Sequence, residues 1–95
     1  MKFEWDDDKN ETNIKKHGID FCDIHEMFDH PILISPDLKS EYGEDRWIGI
    51  GQLRMIVAVI IFIERHKDTI RIISARKATK QERKEYEKII SHQLG

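Results

Sequence analysis

The sequence predicts an α+β domain: a small antiparallel four-stranded sheet carrying two N-terminal helices and one C-terminal helix, with residues 1–95 forming a single unit. Three observations predict it. Runs rich in Val and Ile at 47–51, 55–64 and 69–76 are separated by only a few residues each. Such connections oblige neighbouring strands to pair antiparallel, because parallel neighbours need a long crossover. Capped helical segments stand before and after those runs rather than between them, the mark of an α+β arrangement. A chain of 95 residues also has room for one modest core and not two.

Taken in order, Asp6 is a good N-cap after Trp5, and residues 7–16 are helix-compatible up to His17-Gly18, where Gly18 can take the left-handed C′ position. The apolar stripe of this helix is thin, essentially Ile14, so the helix should be largely exposed. Asp20 caps a second helix over 21–28, with Phe21, Ile24, Met27 and Phe28 as its buried face. Pro31 and Pro36 bracket Ile32-Leu33-Ile34, a short strand that prolines confine to a sheet edge. Residues 37–45 read as an exposed polar loop. A strand over Trp47–Gly51 follows, then a turn over Gln52–Arg54, a strong strand from Met55 to Glu64, a turn over Arg65–Asp68 and a strand from Thr69 to Arg76. Thr79-Lys80-Gln81-Glu82 is a capping box, opening a helix on which Ala78, Glu82, Tyr86, Ile89 and Ile90 define the inner side to about His92. Met55–Ile63 is apolar at even and odd positions alike, so both faces of that strand need cover.

Composition narrows the function classes. A single cysteine, Cys22, excludes an intrachain disulfide and suits a reducing compartment, and its place on the second helix reads as a buried structural thiol. The opening residues show no apolar run behind a basic patch, and the nine-residue stretch Met55–Ile63 is too short to span a bilayer, so a cytoplasmic location is expected. The net charge of −2 conceals a division. Residues 1–45 hold five Lys/Arg against thirteen Asp/Glu, and residues 46–95 hold eleven against five. That asymmetry suits either a polyanion on one surface and a basic partner on another, or two halves that pair with each other. His25, His30, His66 and His92 have no metal-ligand spacing, and Gly49-Ile50-Gly51 lies within a strand and does not open a phosphate-binding helix.

The basic residues carry the candidate chemistry. Pairing the Trp47 and Met55 strands as a hairpin brings Arg46 near Glu64-Arg65, and the next strand starts at that end, adding His66, Lys67 and Arg71. Guanidinium groups bind phosphate bidentately and an indole such as Trp47 can stack on an unpaired base. RNA cleavage without metal needs a base for the 2′-OH, cations around the phosphorane oxygens and an acid for the leaving 5′-oxygen. Glu64 or a histidine suits the base, and Arg46, Arg65 and Arg71 the clamp; the same spacing equally suits a surface ion pair between Glu64 and Arg65 or Arg71. Arg76-Lys77 and Lys80 form a second cluster at the opposite end of a fully paired sheet, with Arg76 in the parity of Ile70 and Ile72 and Arg71 in the other. Tyr86 can be drawn toward a scissile phosphate or into the core. His17, at a helix C-terminus, reads as a capping group, or as a proton donor or phosphate contact.

Phe3-Glu4-Trp5-Asp6, Lys9, Asn13, Lys16-His17-Gly18, Phe21, Phe28-Asp29, Arg46, Ile48-Gly49, Glu64-Arg65, the run Ile70-Arg71-Ile72-Ile73-Ser74-Ala75-Arg76, Glu82 and Tyr86-Glu87 together resemble the BrnT toxin family over nearly the whole chain. The resemblance implies a RelE-like fold and a metal-independent endoribonuclease, without cofactor, that arrests translation. It implies a BrnA-like ribbon-helix-helix antitoxin in a heterotetramer, with promoter DNA reached only through that antitoxin. It places a polar set at His17, Arg46, Glu64, Arg65, Arg71 and Arg76, with Lys77 where an arginine is frequent; Arg71, Lys77, Trp47 and Tyr86 are then the expected RNA contacts. Two other functions fit the same residues: a non-catalytic RNA-binding module, and a co-repressor or protein-interaction subunit.

Overall fold

Short connections do force the predicted meander. In the computed structural model, which describes residues 1–39 and 43–94, β2 (Ile32–Pro36), β3 (Trp47–Leu53), β4 (Ile56–Arg65) and β5 (Thr69–Lys77) pair antiparallel in sequence order. The sheet nevertheless has five strands and not four. Lys2–Glu4 forms β1, which joins the free edge of β5 in parallel, giving the order β1-β5-β4-β3-β2. Parallel pairing is open to β1 because it lies far from its partner in the chain, with 67 residues separating Glu4 from Arg71. β2 is the other edge, as its flanking prolines require. The β3–β4 hairpin turns at Arg54-Met55, so β3 extends through the predicted turn; Arg54 takes a positive φ of 56° and is held by Asp23 and Glu26. Of the loop expected at 37–45, residues 40–42 lie outside the described residues.

Helix α1 (Asp7–His17) begins and ends as its caps dictate: Asp6 accepts from the Lys9 amide and Gly18 is left-handed at φ 70°. Its buried residue is Asn13, whereas Ile14 is 39% exposed. The segment expected as a second α-helix is instead a 3₁₀ helix, Phe21–Asp29. Phe21, Ile24 and Met27 recur every third residue, and at three residues per turn they align on one stripe; all three are buried. Cys22 is off that stripe and exposed, which corrects its reading as a buried thiol. Asp20 and Asp23 surround it and lift the thiol to about 11, hydrogen bonding to Asp20 being the main cause.

The stripe packs on one face of the sheet, formed by Leu53, Ala58, Ile60, Phe62, Ile70, Ile72 and Ala75 with Trp5, Phe28 and Trp47 at its margin. Gly49 and Gly51 of β3 make that approach possible. A Cβ at Gly49 would lie 3.2 Å from both Ile32 and Ile60, and one at Gly51 3.4 Å from Met27. On the second face, Val57 and Val59 of β4 are buried too, so the strand is covered on both sides as its composition demands. Helix α2 (Lys80–Leu94) supplies cover there. It opens on the expected capping box, Glu82 N–H donating to Thr79 Oγ1 at 3.1 Å and Thr79 N–H to Glu82 Oε1 at 2.8 Å. From the end of β5 it crosses toward β2, where the buried Tyr86 donates its hydroxyl to the Pro31 carbonyl at 2.6 Å.

Candidate functional site

Register decides which cations share a surface. β4 alternates regularly, sending Ala58, Ile60, Phe62 and Glu64 to the core face and Val57, Val59, Ile61, Ile63 and Arg65 to the second face. β5 does not alternate throughout: Phe62 pairs with Ile72 and Ile61 with Ser74, leaving Ile73 as the extra residue of a β-bulge. The bulge shifts the phase of the strand. Arg71, opposite Ile63, and Arg76, opposite Val59, therefore lie on the same face, with Ser74 opposite Ile61 between them. Plain alternation puts Arg71 and Arg76 on opposite sides, and no residue type in this run announces the extra residue.

Arg46 precedes Trp47, which pairs with Phe62, so it falls beside Ile63 on the second face. Arg46, Ile63, Arg71 and Glu4 thus form one transverse row, and the Arg46 side chain is only 16% exposed. Arg71 donates from Nη1 to Glu4 Oε2 at 2.7 Å. Its Nε and Nη2 edge makes no further hydrogen bond among the described residues and can take an anion in two-pronged fashion. Arg76 is gripped more fully: Nη1 and Nη2 donate to the two oxygens of Glu82 at 2.7 and 3.0 Å. The guanidinium holds the Glu82 carboxyl down to about 2, far below the usual range, so Glu82 is no proton acceptor near neutral pH.

The remaining predicted residues are dispersed. Glu64 lies on the core side, in a small hollow with Phe28, Lys67 and Thr69, and does not face Arg46, Arg65 or Arg71; neither of the ion pairs considered for it forms. Trp47 is partly buried against the core and also lines a surface hollow with Pro36 and Arg46, whereas Tyr86 is buried and its phenol is not offered to a base. Arg65 shares the second face but is exposed at the strand end, beside His66 and Lys67 in the turn. Lys77 is exposed at the far end of β5. His17 approaches the second face from the side, lining a groove between α1 and β5 together with Lys16 and Ser74. Among the described residues no cluster of three His, Cys, Asp or Glu could hold a metal ion. No helix among them is long and apolar enough to cross a membrane. Spacing does not single out Glu4 and Glu82 as the partners of the two arginines; the capping-box position of Glu82 is the available signal.

Fold and face together define a small α+β protein that presents paired arginines on a partly open sheet face, beside a groove carrying a lysine and a histidine. Comparison with known proteins makes the class specific. The family model for the BrnT ribonuclease toxin of type II toxin–antitoxin systems matches residues 5–82, and the chain belongs to that family. Among solved structures, the crystal structure of the Brucella abortus ribonuclease toxin BrnT is similar, at 33% identity and a TM-score of 0.67, covering 84% of this chain and 99% of that one. No curated protein matches.

Proposed function

We propose that this ribonuclease toxin cleaves RNA without metal, by attack of a ribose 2′-OH on the adjoining phosphate, and thereby stops translation. The observation that supports it most is the shared face of Arg71 and Arg76, set by the bulge at Ile73. Two guanidinium groups on one face stabilise charge as it grows on the phosphorane oxygens. His17, beside Ser74, supplies an imidazole as the group that moves the proton. Glu64 serves this reading poorly, since it faces away; Arg46 and Arg65 extend the cationic strip, whereas Lys77, opposite Ala58, falls on the other face.

The test is cleavage of total RNA in EDTA. Arg71→Ala and Arg76→Ala should each lower the rate by about tenfold or more, as should His17→Ala, while Glu64→Gln leaves it within about twofold. Intact RNA with soluble, folded wild-type protein defeats the enzyme reading and leaves an RNA-binding module, which would retard RNA in a salt-dependent way. Neutralisation is read as docking of a basic or amphipathic segment of a BrnA-like antitoxin, in a heterotetramer that alone reaches promoter DNA. The acidic side chains of α1 and the 3₁₀ helix offer it a complementary surface. Co-expression with the neighbouring reading frame should recover both chains together, with dissociation at high salt.

A further inference from the structure

The groove between α1 and β5 has a volume of about 360 Å³ and two walls. One wall is a single face of α1 at four-residue spacing: Asp8 and Lys9, Thr12 and Asn13, Lys16 and His17. The other is Ile73, the bulged residue, with Ser74. The groove exists because β1 pairs with β5 only over Thr69–Arg71, so the edge of β5 beyond Arg71 has no strand beside it. Helix α1 takes that place, held by the buried Asn13. Its Oδ1 accepts the Ala75 amide at 3.1 Å and its Nδ2 donates to the Ile19 carbonyl at 3.0 Å. Asn13 thereby acts as a strut, bonded through both its amide nitrogen and its amide oxygen.

We infer that this groove is a ribonucleotide subsite, in which Lys16, His17 and Ser74 hold a nucleotide next to the RNA phosphates bound along the Arg71–Arg76 face. The inference deepens the ribonuclease reading and rests on it. Position supports it first: Ser74, which lines the groove, stands between Arg71 and Arg76 on the second face, so the groove and the arginine-bearing surface share a residue. The state of the side chains supports it next. Arg54 spends its donors on Asp23 and Glu26, whereas Arg71 commits only Nη1, to Glu4. The side chains of Lys9, Lys16, His17 and Ser74 make no hydrogen bond or ion pair among the described residues. Groups that meet a ligand must be able to offer their donors. Chemistry selects a nucleotide: an ammonium and an imidazole for phosphate, a serine hydroxyl for ribose, and the Ile73 side chain as an apolar floor for a base.

The test is an NMR titration of the isotope-labelled full chain with a hexaribonucleotide of randomised sequence, made uncleavable by 2′-O-methyl groups. The amides of Lys16, His17, Ile73 and Ser74 should shift together with those of Arg71 and Arg76. Lys16→Ala and Ser74→Ala, checked for an otherwise unchanged spectrum, should weaken binding about five- to tenfold. If the unmodified oligonucleotide is cut while the groove amides stay still and both variants bind like wild type, the subsite is overturned and the ribonuclease stands. If the groove responds but the unmodified oligonucleotide survives, the subsite stands and catalysis falls. Absence of any shift at saturating probe overturns both.

Discussion

Glu82 uses two oxygens for three hydrogen bonds, accepting from Arg76 twice and from the Thr79 amide that opens α2. Because its folded value of about 2 lies below the ordinary glutamate value near 4.3, its contribution to stability is complete above that ordinary value and is lost as pH falls toward 2. Urea midpoints measured between pH 5 and 2 should therefore fall less steeply for Glu82→Gln than for wild type. The glutamine variant should also be the less stable of the two at pH 7. Asn13 is the second residue on which much depends. Asn13→Leu strips partners from a buried amide and a carbonyl and should destabilise by about 1–3 kcal/mol per orphaned group in a denaturant titration. At this scale little is legible in the sequence. Asn13 stands in a run of polar residues that looks solvated, and its two bonds span 6 and 62 residues; only the fold brings those ends together.

Elements are read more readily than residues. Caps are local, and Asp6, Gly18, Asp20 and the Thr79–Glu82 box mark their helix ends from within four residues. The strands are equally plain, since β-branched runs with short turns allow one pairing. What escapes is whatever local pattern does not encode. β1 is three residues long and takes its identity from a partner 67 residues further along the chain. The 3₁₀ helix reads as an α-helix because Phe28 adds a fourth apolar position that fits a period of 3.6, whereas the three fully buried residues follow a period of 3. Met27 is fully buried in that stripe where it meets Gly51, and Met27→Ala should cost about 2–5 kcal/mol, read from thermal or denaturant unfolding. Tyr86→Phe tests α2 separately: losing one hydrogen bond to the Pro31 carbonyl should cost about 0.5–1.5 kcal/mol without disturbing the 3₁₀ helix.

Across the whole molecule, the charge division is partly settled internally. Glu4 meets Arg71, and Asp23 and Glu26 meet Arg54, so acidic residues of the first half neutralise basic residues of the second. The candidate site is legible in the sequence as a set of cations and not as a place. Arg71 and Arg76 need the bulge to share a face, and Glu64 is removed from the group by the same register that places Arg65. RNA affinity should drop as salt rises. Arg71→Ala should flatten the plot of log affinity against log salt by about one unit for each phosphate that the variant no longer neutralises.

The parallel pairing of β1 has a temporal meaning. Lys2–Glu4 leaves the ribosome well before its partner Thr69–Arg71 is synthesised, and Asn13 waits in the same way for Ala75. Neither the edge of the sheet nor the cleft beside it can close on a growing chain until β5 has cleared the exit tunnel. A protein that attacks RNA is thus kept unfinished, by its own connectivity, while its message is still being read.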